Sequence, residues 1–316
     1  MPRDRIKINL SKLKTYPISK RICKVRYEDF AKPPSKGASF SDFYNSLPNI
    51  LIGPDFKSVV EAIVSARAKK KPVIFMMGAH VIKCGLNPVI IELMKKKAIT
   101  AICLNGAGAI HDFEIALIGR TSEDVPDALE DGSFGMANET ALYINGGLEE
   151  AVEKDIGAGQ AIAEVINDQK LPFRNHSLLY NALKEDALAT VHIAIGTDIT
   201  HQHPSFDAGA AGEASLKDFH SLIEEVAMLG DGGVVLNIGS SVILPEVFLK
   251  AINVARNLGY KVKDFTACNF DMISHYRPYQ NVVARPVRSG GKGYNIIGHH
   301  EIMLPLLAQA VVENMR

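Results

Sequence analysis

The sequence predicts a doubly wound α/β domain: a mainly parallel sheet with helices on both faces, preceded by an irregular N-terminal arm. Two observations carry this expectation. From about residue 46 onward, short apolar runs without apolar/polar alternation recur, each separated from the next by stretches of helical periodicity. Strands of that kind are buried on both faces, as in parallel sheets. Glycine-containing breaks also follow several of these runs directly, at the strand C-termini where open α/β sheets build their sites.

Residues 1–45 are rich in Lys, Pro and Ser and show no periodicity, so they read as an arm packed on something else, a neighbouring subunit among the candidates. Residues 72–77 form the first buried strand, closed by Gly78. Residues 87–97 are helical, 98–104 are the next strand, and a glycine turn then leads into a helix over 111–119. Residues 191–195, 233–238 and 262–267 repeat the theme. With no Gly/Ser or Pro linker, residues 46–316 are expected to be one domain.

Composition removes several functions. Lys+Arg and Asp+Glu balance at 35 each, which argues against a nucleic-acid binder, since that affinity needs an excess of cations on one face. The lysine runs 69–71 and 95–97 sit at helix C-terminal ends, where cations favour the dipole. The four scattered cysteines suit reduced thiols in the cytoplasm. There is neither a signal-peptide pattern at the start nor an apolar run long enough to span a membrane.

Asn105-Gly106-Ala107-Gly108 follows one strand and opens a helix; glycine there lets backbone approach a phosphate at the helix N-terminus. The full G-x-G-x-x-G pattern is absent, and a tight structural turn explains the segment equally. Gly239-Ser240-Ser241 makes a similar break. The segment 196–204 then brings Thr197, Asp198, His201 and His203 close to Asp207. Two histidines two apart on extended chain share a face, as a metal site requires, and a hydrogen-bonded polar loop is the alternative. Asp271, His275, Tyr276 and Arg277 follow another strand. Lys292 stands alone in Ser289-Gly290-Gly291-Lys292-Gly293, a flexible loop in which a desolvated amine could form an imine. Gly298-His299-His300-Glu301 opens the last helix.

The succession of Gly78-Ala79-His80, the 105–112 turn, Gly196-Thr197-Asp198, the break at Gly239, Thr266 to Asp271, Arg277-Pro278, Gly291-Lys292 and Pro305-Leu306-Leu307 resembles deoxyhypusine synthase, in collinear order over roughly residues 70–310. The resemblance implies a Rossmann-like, NAD-binding domain in a homotetramer with active sites between subunits. It implies a transferase that takes an aminobutyl group from a polyamine and holds it as a lysine imine. By position, Lys292 resembles the imine-forming lysine, with His203 or His275 moving protons. Ala79, His80, Asn105, Gly106, Gly108, Asp112, Thr197, Asp198, Gly239, Thr266, Ala267, His299 and His300 fall where the family contacts NAD. Asp198, Asp271 and Glu301 are the expected amine-binding acids. The chain departs from the family in lacking tryptophan, with Gly290 in its place before the lysine, in having Arg285 and Arg288 near an expected acid, and in having no histidine over 240–244. Two other readings therefore stay open. One is a metal-dependent hydrolase of an amine or guanidine compound on Asp198, His201, His203 and Asp207. The other is a non-catalytic relative that binds NAD or a polyamine.

Overall fold

A computed structural model of the chain describes residues 6–315; residues 1–5 of the expected arm and the C-terminal residue 316 lie outside it. Six strands, β1 (Val73–Met77), β2 (Ala101–Asn105), β3 (Leu188–His192), β4 (Val234–Ile238), β5 (Thr266–Asp271) and β6 (Lys292–Ile297), form one sheet in the order β3-β2-β1-β4-β5-β6. Every pairing is parallel. The chain winds outward from β1 to β3, then returns to the centre at β4 and winds the other way. The β1/β4 seam is thus the topological switch point, where an open α/β sheet leaves a crevice beyond its strand C-termini.

The helices are α1 (Phe40–Ser46), α2 (Ile52–Ala68), α3 (His80–Lys83), α4 (Asn87–Lys95), α5 (Gly106–Ile118), α6 (Val125–Asp131), α7 (Asn138–Lys154), α8 (Ala158–Asp168), α9 (Leu178–Lys184), α10 (Ala208–Ala227), α11 (Ile243–Asn257), the single turn α12 (Tyr276–Pro278) and α13 (His300–Asn314). Because strand side chains alternate faces, β1 feeds two cores. Val73, Phe75 and Met77 pack with Phe113 of α5 and Leu307 of α13. Ile74 and Met76 pack with Leu222 of α10 and Phe248 of α11. All of these side chains are buried, each contributing roughly 1.5–3 kcal/mol.

Three departures from the sequence reading bear on the site. The segment expected to be irregular up to residue 45 ends in a helix, α1, started by a reciprocal Ser39/Asp42 capping box and anchored by buried Tyr44. The strand expected over 262–267 begins at Thr266, because Asp264 takes a left-handed conformation with φ +55° that breaks extended chain just before it. The glycine-flanked loop around Lys292 is instead the start of edge strand β6, with Lys292 opposite Thr266. Glycines and exposure on an edge strand mask the apolar signal by which strands are read.

Candidate functional site

The turn from β2 into α5 is closed by the chain's own side chains. Asn105 Oδ1 accepts from the Gly108 N–H at 3.0 Å. Asp198, on the loop after β3, lies against Gly106 so closely that a Cβ there would overlap its carboxylate, and it accepts the Ala107 N–H. A carboxylate at a helix N-terminus satisfies orphan donors and complements the dipole. Burial pushes the Asp198 pKa up, against the opposing pull of His201, Thr197 and Ala107. His201 is held in turn: its Nδ1 accepts from Gly196 N at 3.0 Å and from Asp198 N at 3.3 Å. The anion site expected at residues 105–108 is therefore already filled by protein atoms.

Beside it opens a cavity of about 540 Å3 lined by Lys83, His111, Glu114, Arg120, Thr121 and Asp198 among others, Thr197 included. His111 and Glu114 share a face of α5 three residues apart. His111 Nδ1 meets Thr121 Oγ1 at 2.6 Å, the Thr121 hydroxyl donates to Glu114, and Thr140 Oγ1 donates to the other Glu114 oxygen at 3.2 Å. With the threonine proton committed to Glu114, the ring nitrogen facing Thr121 carries the imidazole proton, which leaves Nε2 as a proton acceptor. Burial, then the nearby Lys83 charge, hold the His111 pKa below its ordinary value, so the ring is neutral. An upward-shifted carboxyl and a downward-shifted imidazole lining one cavity are the pattern of acid–base sites.

The switch point lies at the next strands along the same edge. Gly78 N donates to Ile238 O and Gly239 N to Phe270 O, both at 2.9 Å. These bonds bring the two turns into backbone contact: a Cβ on Gly78 would overlap the Gly239 carbonyl. Gly239 has φ +65°, and a Cβ on it would come 2.7 Å from His300 Nε2, so only glycine fits there. His300 is 1% exposed, yet its Nδ1 has no partner. Burial depresses its pKa, opposed by Asp271 at the end of β5. The His80 ring centroid is 5.9 Å away. The N-cap residue of neither α11 nor α13 makes a side-chain hydrogen bond; Ser240 Oγ accepts from Leu244 N in the first turn of α11 at 3.2 Å, so the orphan N–H groups at the crevice are those that begin α13.

The structure thus brings Ala79, His80, Gly239, Asp271, His299, His300 and Glu301 to the switch-point end of the strands, and Thr197 and Asp198 to the adjoining cavity. Other expected residues are elsewhere. Asp112 is fully buried and accepts from Asn87, Ser177, Leu178 N and Leu179 N, holding the start of α9; burial raises its pKa to about 6. His203 Nε2 binds the Gly135 carbonyl at 2.9 Å, tying down a loop. His275 precedes α12 beyond β5, with no side-chain cap bond. Lys292, Thr266 and Ala267 are at the starts of β6 and β5, roughly 17 Å from the crevice end, at about 3.3 Å per residue. Within one chain the Lys292 amine does not reach the crevice. The expected metal cluster does not assemble either: Asp207 Oδ1 caps α10 through Ala210 N, His203 is engaged as above, and no described group of three such side chains could hold a metal ion. Glu114, Thr121 and Lys83 escaped the sequence reading. The i,i+3 spacing of His111 and Glu114 was the available signal for the first.

No protein-family model and no curated protein matches the sequence. Solved structures match in fold. A protein of Entamoeba histolytica described as a deoxyhypusine synthase has a TM-score of 0.54 at 12% identity, over 89% of this chain and 96% of that one. AgrE in its complex with ornithine and NAD+ has a TM-score of 0.51 at 12% identity, over 82% of this chain; this chain spans only 33% of AgrE's length. An LOR/SDH protein of Methanococcus maripaludis has a TM-score of 0.48 at 15% identity, over 89% and 71%. The first two likenesses are of fold.

Proposed function

We propose that this chain is an NAD-dependent enzyme acting on a small amine, with the dinucleotide across the β1/β4 crevice and the amine in the cavity beside α5. The observation that carries the reading is the buried, unpartnered Nδ1 of His300 at the uncapped start of α13, against a glycine turn with no room for a side chain. A nucleotide's phosphate or ribose oxygens suit such donors. In this reading Gly239, Ala79 and His80 hold the dinucleotide, and His300 with the N–H groups of α13 orients it.

The cavity suits a cation. Glu114 and Asp198 face it, and each charge-assisted hydrogen bond to an ammonium group contributes about 1.5–3 kcal/mol. Bound NAD would supply a hydride acceptor beside the carbon that bears the nitrogen. His111 Nε2 takes the proton released from that nitrogen, and the Thr121–Glu114 pair holds the ring in the required tautomer. AgrE, of similar fold, forms a ternary complex with ornithine and NAD+, which supports the pairing of dinucleotide and amine. Aminobutyl transfer through Lys292 would need that amine to enter the crevice from another copy of the chain.

The test is calorimetric titration with NAD+, followed by NADH formation across a panel of diamines, polyamines and basic amino acids. The expected result is one NAD+ per chain, amine-dependent turnover, and a loss of about 10²-fold or more in His111→Gln with NAD+ affinity unchanged. No NAD+ binding would overturn the reading. Binding without turnover on any amine would leave a non-catalytic dinucleotide-binding protein.

A further inference from the structure

Among the described residues, three carboxylates and two cations line the cavity beside α5, and the fold treats the two sets differently. Each carboxylate is engaged by the protein. Asp198 accepts the Ala107 N–H, Glu114 accepts from Thr121 and Thr140, and Glu123 accepts from Gly135 N at 2.9 Å. The cations, Lys83 and Arg120, form no ion pair with any described residue. Both are placed around His111. Lys83 ends α3, which packs on α5, and after burial its charge is what holds the His111 pKa down. Arg120 immediately precedes Thr121, whose hydroxyl oxygen meets the His111 ring at 2.6 Å, because Gly119 ends α5 with φ +70° and turns the chain back. Positive charge without a counterion thus stands beside the nitrogen proposed to take the substrate's proton.

We propose that the amine bound in this cavity carries a carboxylate on its reacting carbon, so that the substrate is an α-amino acid and not a diamine or polyamine. The inference rests on the reading of the cavity as the amine site of an NAD-dependent enzyme. An ammonium group still finds acceptors on Glu114 and Asp198, since each carboxylate oxygen accepts in more than one direction. A ligand with positive charge alone would also face Lys83 and Arg120, and like charges repel. A carboxylate turns that repulsion into attraction: Arg120 offers it a planar fork of donors, and Lys83 a compact charge. Because both cations are grouped around His111, the carboxylate belongs next to the amine that gives up its proton there. The charge pattern therefore selects by position as well as by sign, and an amine of equal length without the carboxylate is the ligand it excludes.

The experiment is calorimetric titration of the full chain, loaded with NAD+, against pairs that differ only in the carboxylate: L-lysine against cadaverine and L-ornithine against putrescine, with spermidine as the polyamine. Each amino acid is expected to bind at least about tenfold more tightly than its diamine or spermidine. Arg120→Gln should weaken the amino acids about tenfold to a hundredfold, leave NAD+ affinity unchanged and leave or tighten the diamines. Arg120→Lys, which keeps the charge and loses the fork, should fall between the two. Retained NAD+ binding shows that each variant is folded. A wild type that binds a diamine or spermidine as tightly as the amino acids, or tighter, overturns the inference and leaves the amine reading standing. So does a preference that survives Arg120→Gln and Lys83→Gln combined. An NAD+-loaded chain that binds none of these amines overturns both.

Discussion

The two halves of the sheet treat their helix N-termini in opposite ways. On the β2–β3 side, buried carboxylates from the chain itself occupy the backbone donors: Asp198 at α5, Asp112 at α9, and Asp218, which takes Gly159 N at the start of α8 at 2.8 Å and Val191 N of β3 at 2.7 Å. On the β4–β6 side no carboxylate does this: α11 has a hydroxyl, Ser240 Oγ on Leu244 N at 3.2 Å, α13 starts with no side-chain bond from its N-cap residue, and a buried histidine nitrogen there lacks a partner. Glycine turns that look alike in sequence are therefore different objects. A turn whose donors are filled by its own protein is a structural joint, and one whose donors are left over is a candidate binding site.

That contrast can be broken in four places. The largest effect is expected from Gly106→Ala, which sets a Cβ on the Asp198 carboxylate and should cost about 1–3 kcal/mol in denaturant unfolding. Adding it to Asp198→Ala should cost under about 0.5 kcal/mol, because the clash is then gone. Equal costs in both backgrounds would show that Asp198 is not what fills the turn. Next, Gly239→Ala should weaken NAD+ binding about tenfold or more, since it combines left-handed backbone with a collision on His300; unchanged calorimetric affinity would move the dinucleotide elsewhere.

A smaller effect concerns pH. Burial raises Asp218 to about 7 and Asp112 to about 6, from 3.8. Both favour the folded state fully below the unfolded value, and that contribution is lost as pH rises through the folded values. Unfolding midpoints should therefore fall between about pH 4 and about pH 7 and level off above, and Asp218→Asn should flatten that fall. An undiminished slope in the variant would mean the carboxyl is not strained by burial. Smallest of all, Lys292→Ala should change stability by no more than about 0.5 kcal/mol, as expected of an exposed residue, and should leave NAD+ affinity alone. A large loss of turnover in this variant would show that the amine enters a neighbouring copy's crevice.

Much of the architecture was legible in the sequence, because a buried parallel strand writes itself as an unbroken apolar run. The runs in β1, β2 and β4 mark their strands to within a few residues. Edge strand β6 was not legible, since its glycines and exposed positions resemble a loop. The site was legible where a residue follows a strand: Ala79, Gly239 and Asp271 lie at the crevice edge because every strand C-terminus does. It was illegible wherever a side chain's role is set by a partner far along the chain. Asp112 looks like a turn acid, but Ser177 and α9 claim it. His203 looks like a ligand, but Gly135 claims it. Thr121 bridges His111 and Glu114 only because the chain folds back after Gly119, whose φ of +70° ends α5.

The most direct test of the central claim is a crystal structure of the chain with NAD+. The dinucleotide is predicted to lie along the β1/β4 seam, touching Gly239 and the start of α13, with a ribose or phosphate oxygen on His300 and the α5 turn still closed by Asp198. NAD+ bound instead at the 105–108 turn with Asp198 displaced, or at the Lys292 end of the sheet, would contradict it.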